Sequence, residues 1–125
     1  MTTASDAVQL PQLDIDTIVQ RLAKLAVEHA ANVQPGQTVV VGSELGKEQL
    51  TRAVVAAAYR AGAGFVDVSY QDPHVWHARV QHADPETLEQ FPDWYRTRTV
   101  AIGEHRCATI GLSLSTSLIG LPLYQ

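Results

Sequence analysis

The chain has 125 residues, of which 46% are hydrophobic and 18% charged. This balance is typical of one folded domain and excludes an intrinsically disordered chain. The formal net charge is -4, with no run of Lys or Arg, so nucleic acid and membrane surfaces are not expected partners. The single cysteine, Cys107, cannot form an internal disulfide. With no signal peptide and no apolar stretch near the ~20 residues of a spanning helix, we expect a soluble cytoplasmic protein.

The first predicted element is an amphipathic helix. Residues 1–13 are polar and predict a flexible lead-in, whereas 14–125 predict a single α/β domain. Asp14 or Asp16 can accept hydrogen bonds from the free amides of the first helical turn. The helix should end near Asn32. Its apolar residues recur at spacings of three and four and form one stripe: Ile15, Ile18, Val19, Leu22, Leu25 and Ala26.

A strand, a helix and a second strand follow. Pro35 and Gly36 predict a turn that leads into a strand at 38–41. Its three consecutive valines suit a parallel strand covered by helices on both faces, ended by Gly42 and Ser43. A helix from Lys47, stopped by Gly62, and a strand at 65–70 complete a βαβ unit.

The remaining elements are less regular. Asp72 and Pro73 should begin a helix that runs to Val80, and Asp84 and Pro85 should begin another that Pro92 kinks or ends. Residues 100–102 read as a short strand, and 108–114 as a further strand. The fold class is therefore α/β: a three-layer arrangement around a small, mostly parallel sheet with βαβ crossovers.

Three histidines, His74, His77 and His82, lie within nine residues and could bind zinc. His74 and His77 are three apart, near one helical face, but His82 lies on another face and no carboxylate or cysteine sits at a companion spacing. We interpret the three as residues of a partly exposed helix.

The loop at 42–47 lies between a strand and a helix, where phosphate-binding loops occur. Its glycines, Gly42 and Gly46, are four apart, and Glu48 would repel phosphate, so it matches neither common phosphate motif. We interpret it as a turn and helix cap.

The other reactive or aromatic residues also favour structural interpretations. Cys107 follows His105 and Arg106, but neighbours on a strand point to opposite faces, so the thiol is not assigned a nucleophilic role. Asp67 alone supplies no acid–base pair. We assign no catalytic, cofactor-binding or metal-binding residue. The aromatic residues read as packing rather than a base-stacking platform, because no basic groove accompanies them: Trp76, Trp94 and Tyr95.

Several segments together resemble one family, the thermophilic metallo-aminopeptidases of the aminopeptidase T, aminopeptidase S and leucyl aminopeptidase type. The resemblance covers residues 15–95, the N-terminal part of the family only. It rests on segments that occur in the same order as in the family. The first is Asn32 to Val41, with its Pro-Gly turn, and the second is Leu50 to Ala63. The third is Val66-Asp67-Val68 with Asp72, followed by Arg79, His82-Ala83 and Phe91-Pro92-Asp93-Trp94.

The resemblance implies a metal-dependent exopeptidase about three times as long, which removes N-terminal residues from peptides. In that family two divalent ions, zinc or cobalt, bind side chains of a C-terminal domain, and none of those motifs matches this sequence. The resemblance therefore implies an N-terminal fragment, inactive alone, that lacks the C-terminal metal-binding domain and contains no cofactor of its own. Peptide substrate would bind only the full-length enzyme, and the partner of this chain would be a second copy or the missing domain.

The chain departs from the family pattern after Arg96, which leaves three explanations: a truncated or frameshifted gene, a deliberate fragment, or a short relative with a new role. Two alternative functions stay open. One is a stand-alone module that binds a small anionic ligand at 42–47. The other is an interaction protein that docks through its apolar tail, 118–124.

Overall fold

The computed structural model describes residues 14–112. The predicted lead-in at 1–13, the end of the strand at 108–114 and the apolar tail lie outside the described residues. The elements in chain order are α1 (Ile15–Leu25), which continues as a π-helical turn (Ala26–Ala30), β1 (Thr38–Glu44), α2 (Glu48–Arg60), β2 (Phe65–Gln71), α3 (Pro73–His82), a 3₁₀ turn (Pro85–Thr87), α4 (Asp93–Glu104) and β3 (Ala108–Gly111).

Helix α1 begins as its sequence predicts. The Asp14 carboxylate accepts a hydrogen bond of 2.7 Å from the Thr17 amide and so caps the first turn. The helical segment ends before Asn32, whose φ of 49° is left-handed. However, Ala23 and Val27 rather than the predicted stripe make the buried contacts of this segment. Four residues of the stripe are exposed, at 47–71% of their surface: Ile15, Ile18, Leu22 and Leu25.

The turn before β1 and the turn before β2 hold each other in place. Gly36 takes a φ of 77°, and its amide donates to the Gly62 carbonyl at 2.8 Å. The Gly64 amide donates in turn to the Gln37 carbonyl at 2.9 Å. A Cβ on Gly64 would lie 2.9 Å from the Gly36 oxygen, so only glycine allows this approach. The two turns therefore start β1 and β2 side by side.

The sheet contains three parallel strands in the order β2-β1-β3. The prediction that Gly42 and Ser43 end the first strand is wrong, because β1 continues to Glu44. Gly42 pairs with Ser69 of β2 and Gly111 of β3 and is therefore held in the ladder from both sides. The parallel pairing of β1 with β2 around α2 is the βαβ unit that the sequence predicts.

The core lies between one face of the sheet and the two helices α1 and α2. Val39, Val41 and Ser43 of β1 are buried on this face, and so is Val54 of α2. The opposite face is only half covered, since Val40 keeps partial exposure. The two faces of β1 are therefore covered unequally.

The connection from β2 to β3 is more helical than predicted. Asp72 caps α3 by accepting from the His74 amide at 2.9 Å, as expected. Asp84 caps the next segment, which stops after one 3₁₀ turn. The predicted strand at 100–102 is wrong, because these residues belong to α4, which starts directly after Pro92. The Thr99 hydroxyl donates to the Tyr95 carbonyl at 3.0 Å, so this β-branched residue is accommodated within the helix.

The layers on the two sides of the sheet are held differently. α2 packs on one side through buried apolar residues, whereas α4 reaches the other side through an ion pair between Arg98 and Asp67. Asp67 points away from α2 because it alternates along β2 with Val66 and Val68. The result is the small parallel-sheet α/β architecture expected from the sequence. Among residues 14–112, no helix combines the length and apolar character required to cross a membrane.

Candidate functional site

The three histidines lie on α3, as predicted, and do not converge. His74 is in the first turn and exposed, His77 is half-buried, and His82 is the last helical residue and exposed. Within residues 14–112, no group of three or more His, Cys, Asp or Glu residues is arranged to hold a metal ion. The geometry of the described residues therefore does not fit the divalent ions that the resemblance implies.

The loop after β1 is filled by its own charged side chains. The Glu48 carboxylate accepts a 2.9 Å hydrogen bond from the Gly46 amide. This bond, with a further one from its own amide and the charge of Arg52, holds the pKa of Glu48 below its ordinary value. Lys47 binds the Glu44 carboxylate at 3.0 Å and the Leu112 carbonyl at 2.8 Å. An anion at this loop would have to displace these contacts, two of which involve carboxylates.

The buried polar pair beside this loop is structural. The Thr51 hydroxyl donates to the Lys47 carbonyl at 2.7 Å and lies 2.8 Å from the Ser43 hydroxyl. Because the single proton of Thr51 is used by the carbonyl, Ser43 must donate to Thr51. Both hydroxyls are therefore satisfied, and the pair joins the end of β1 to the first turn of α2. Neither oxygen is adjacent to a base that could activate it.

Cys107 lies in the connection between α4 and β3 and is half-buried. Its neighbour Arg106 takes a left-handed φ of 51°, and the Arg106 carbonyl accepts a 3.0 Å hydrogen bond from the Gln37 side chain. The backbone of Arg106 thus holds the segment before β3 against the residue that follows the Pro-Gly turn. This contact gives Arg106 a structural role through its backbone rather than through its charge.

Asp67 has a partner that sequence reasoning missed. Arg98 of α4 binds its carboxylate, although the two are 31 positions apart. Both side chains keep 40–49% of their surface, so the pair is screened by solvent and holds α4 weakly against the sheet. Asp67 therefore occupies a half-exposed, ion-paired position on β2. No signal in the sequence marks Arg98 among the arginines of α4.

Arg79 organises the segment between α3 and α4. Its guanidinium donates to the carbonyls of Thr87, Leu88 and Gln90 at 2.9–3.2 Å. It also lies over the rings of Phe91, at 4.8 Å, and Trp76, at 5.5 Å. Sequence reasoning missed this role, which requires three carbonyls to converge in space.

The aromatic residues pack on one another at the surface instead of in the core. Phe91 stacks on Tyr95 with centroids 5.3 Å apart, and Trp94 meets Tyr95 edge-on at 5.9 Å. Trp94 still exposes 69% of its surface and Trp76 56%. We call the exposed apolar side chains of this region the α3–α4 surface: Val75, Trp76, Val80, Phe91, Trp94, Tyr95 and Val100.

A groove of about 300 Å³ lies between α2 and β2 and is lined by residues of both elements. Its lining is apolar apart from Thr51, Arg52 and the hydroxyl of Tyr70. The lining residues include no histidine, cysteine or carboxylate, and the hydroxyl of Thr51 already donates to the Lys47 carbonyl. The groove is therefore suited to apolar groups.

Comparison with known proteins gives one consistent result. The family described as "Thermophilic metalloprotease (M29)" matches residues 15–118. Aminopeptidase AmpS of Bacillus subtilis is 39% identical over 83 residues, which cover 64% of this chain and 20% of AmpS. Aminopeptidase T of Thermus thermophilus is 31% identical over 107 residues, or 83% of this chain and 26% of the relative.

The fold agrees with the sequence relationship. The solved structure of wild-type AmpT from Thermus thermophilus matches 87% of this chain with a TM-score of 0.71 and 27% sequence identity, and the match covers 28% of AmpT. This chain thus spans only about a quarter of the proteins that it resembles. The family match reaches residue 118, so the predicted departure from the family pattern after Arg96 is wrong. The resemblance drawn from the Pro-Gly turn, the crossover helix and the 91–94 segment is confirmed, and the chain belongs to the thermophilic metalloprotease (M29) family.

Proposed function

We propose that this chain supplies a structural α/β unit of a metal-dependent aminopeptidase and does not hydrolyse peptides by itself. The observation that carries the proposal is the family match over residues 15–118, together with relatives that are named as aminopeptidases. The chain covers 20–26% of the length of these two relatives, so most of each relative lies outside the matched region.

The chemistry is assigned to another part of such an enzyme. The metal ions of a metallopeptidase activate a water molecule and polarise the scissile carbonyl. Five carboxylates of the described residues have other partners: Glu44 and Glu48 in the loop after β1, Asp67 with Arg98, and Asp72 and Asp84 at helix starts. We therefore assign no catalytic step to the described residues.

The role that the geometry supports is to provide a surface for binding another protein segment. The α3–α4 surface combines Trp and Tyr side chains with Arg79, the residue types that carry most binding energy at protein interfaces. We propose that it packs against the remainder of an aminopeptidase or against a second copy of this chain. Peptide substrate would then meet only the assembled enzyme.

We also propose a cytoplasmic setting. Its support is the single cysteine of the sequence, which cannot form an internal disulfide, as is typical of proteins in reducing compartments.

The test is hydrolysis of a leucyl chromogenic substrate by the purified chain, with Zn²⁺, with Co²⁺ and with a chelator. Bound metal is counted on the same sample after gel filtration. We expect no hydrolysis above the metal-only blank and no stoichiometric metal. Purified Thermus thermophilus aminopeptidase T serves as the positive control for the assay.

Metal-dependent hydrolysis that coelutes with the chain would contradict the proposal. The double variant His74→Ala, His77→Ala would then be compared with Arg96→Ala, which changes an exposed residue of α4 instead. Loss of hydrolysis in the histidine variant alone would assign the activity to α3.

A further inference from the structure

The outer edge of β2 is free in the part of the chain that the structure describes. The sheet order β2-β1-β3 gives β2 only one strand neighbour among residues 14–112. The backbone groups of successive strand residues point alternately to the two sides of the strand. The Gln71 carbonyl faces the β1 side, because it accepts from the amide of Leu45, which follows β1, at 3.1 Å. The odd-numbered residues of β2 therefore face β1, and the even-numbered residues direct their amides and carbonyls outwards.

A side chain of α2 meets this outer edge. The Val66 amide donates to the Tyr59 hydroxyl at 3.1 Å, so the first outward donor of β2 lies against the flank of α2. The next two outward amides, those of Val68 and Tyr70, have no acceptor within residues 14–112. β2 also contains no proline or lysine, the residues that commonly keep another strand from pairing with an edge. The edge is therefore a template for a further strand.

The groove of about 300 Å³ between α2 and β2 runs along the same edge. We call it the α2–β2 groove. Because side chains of a strand alternate between the two faces of a sheet, every second side chain of an added strand would point to the α2 side, into this groove. The apolar lining suits an aliphatic side chain at that position. The lining combines the two residues with free outward amides and one flank of α2: Val68, Tyr70, Thr51, Arg52, Val55 and Ala56.

Arg52 supplies the only charge among the lining residues. It is exposed, and its charge acts on Glu48, whose carboxylate is bound to the Gly46 amide. Arg52 lies about two helical turns before Tyr59, which contacts the start of β2, so it sits at the opposite end of the groove, beside Tyr70. A carboxylate at this end can form charge-assisted hydrogen bonds with the guanidinium.

We propose that the α2–β2 groove binds the C-terminal end of an extended peptide, which adds to β2 as a parallel strand. The peptide backbone accepts from the amides of Val68 and Tyr70, an aliphatic side chain enters the groove, and the terminal carboxylate binds Arg52. The parallel direction follows from placing the carboxylate at the Tyr70 end. This inference goes beyond the proposed function and does not depend on it, because no catalytic step is involved.

The test titrates the full chain with one peptide in a calorimeter. The probe is acetylated Thr-Val-Thr-Leu with a free C-terminal carboxylate, and the same peptide with a C-terminal amide is its control. Arg52→Gln removes the guanidinium, and Arg60→Gln, in the last turn of α2, is the matched control. Ala56→Leu fills the groove from an exposed position, and Gln49→Leu adds the same side chain at an exposed position of α2 outside the groove.

We expect the carboxylate peptide to bind the native chain. Amidation and Arg52→Gln should each weaken binding about tenfold, because each removes the charge-assisted contact. The two changes together should also weaken it only about tenfold, since they remove the same contact. Ala56→Leu should weaken binding at least about tenfold by occupying the groove, whereas Arg60→Gln and Gln49→Leu should leave it unchanged. Thermal melts check that every variant folds; leucine and alanine are both good helix formers.

Hydrogen exchange of single amides locates the bound peptide. Saturating peptide should slow exchange at Val68 and Tyr70 at least about tenfold, because their amides gain acceptors. The amides of Asp67 and Ser69 face β1 and should keep their rates. This alternation is specific to a strand added at the outer edge of β2.

Four results would overturn the proposal. The first is an affinity for the carboxylate peptide weaker than about 1 mM. The second is equal binding of the carboxylate and amide forms, which would mean that Arg52 does not hold the terminus. The third is slowed exchange at amides away from β2, which would place the peptide elsewhere. The fourth is slowed exchange at Val68 and Tyr70 that needs no peptide and grows with protein concentration, which would assign the edge to a second copy.

Discussion

The two halves of this molecule use their apolar residues in opposite ways. In the first half, from α1 to β2, valines and alanines of α1, β1 and α2 are buried against one another, and β3 adds Ala108 and Ile110. In the second half, α3 and α4 bury no residue, although they contain two tryptophans. The first half forms the buried core, whereas the helices of the second half expose their large apolar side chains at the surface.

The same substitution should have different effects in the two halves. Val54→Ala removes two methyl groups from a fully buried site in α2 and should lower the free energy of unfolding by about 2 kcal/mol. Val80→Ala in α3, where the side chain is 55% exposed, should change it by less than about 0.5 kcal/mol. Urea denaturation of both variants gives the comparison. Equal losses would mean that α3 contributes to the core.

Replacing a glycine by alanine should lower the stability in the first half and raise it in the second. Gly62 has a φ of 100°, and a Cβ there would lie 3.2 Å from the Pro35 Cα, so Gly62→Ala should destabilise by about 1–2 kcal/mol. Gly103 in α4 has open space around it, so Gly103→Ala should stabilise the helix by up to about 1 kcal/mol. Thermal melts followed by circular dichroism test both. A stable Gly62→Ala protein would contradict the turn geometry.

Arg79 should control the second half without affecting the first. Arg79→Met keeps an unbranched apolar stem but removes the guanidinium and its bonds to three carbonyls. Amide hydrogen exchange across residues 85–92 should accelerate about tenfold, while β1 and α2 keep their protection. Arg96→Met, in exposed α4, is the matched control. Acceleration throughout the sheet would show that the two halves unfold together.

The smallest expected effect is the pH response of the first helix. Hydrogen bonds from the side chain and amide of Thr17 hold the pKa of Asp14 below its ordinary value. A carboxyl group with a lowered pKa stabilises the fold above its unfolded pKa, and this contribution disappears as the pH falls through the folded pKa. The first turn of α1 should therefore loosen below about pH 4.

Asp14→Asn provides the control for this effect, because asparagine caps helices but does not titrate. NMR chemical shifts of the Thr17 amide should move with pH in the native chain and stay constant in the variant. An identical shift in both proteins would mean that another group causes it.

The sequence predicted the first half well because its signals are local. Asp14 as cap, the Pro-Gly turn, the valine strand and Gly62 as helix stop each depend on a few neighbouring residues, and each is found. The error at Gly42 and Ser43 has a tertiary cause. These residues stay in the strand because β2 and β3 pair with them and Thr51 binds the serine.

The second half was harder because its contacts are distant or exposed. Residues 100–102 resemble a strand locally, yet the helix starting after Pro92 includes them. Arg79 and Arg98 could not be identified because their partners converge only in the fold. The same limit applies to function. The family could be recognised because several sequence segments occur in the family's order, whereas a surface that binds a partner leaves no motif in the sequence.

Native-state hydrogen exchange of the whole chain should separate the two regions. We expect hydrogen-bonded amides of β1, α2 and β2 to exchange only through global unfolding, and amides of residues 73–104 to exchange at least about 100-fold faster through local opening. Equal protection in the two regions would contradict this expectation, because α3 and α4 would then be part of one cooperative core.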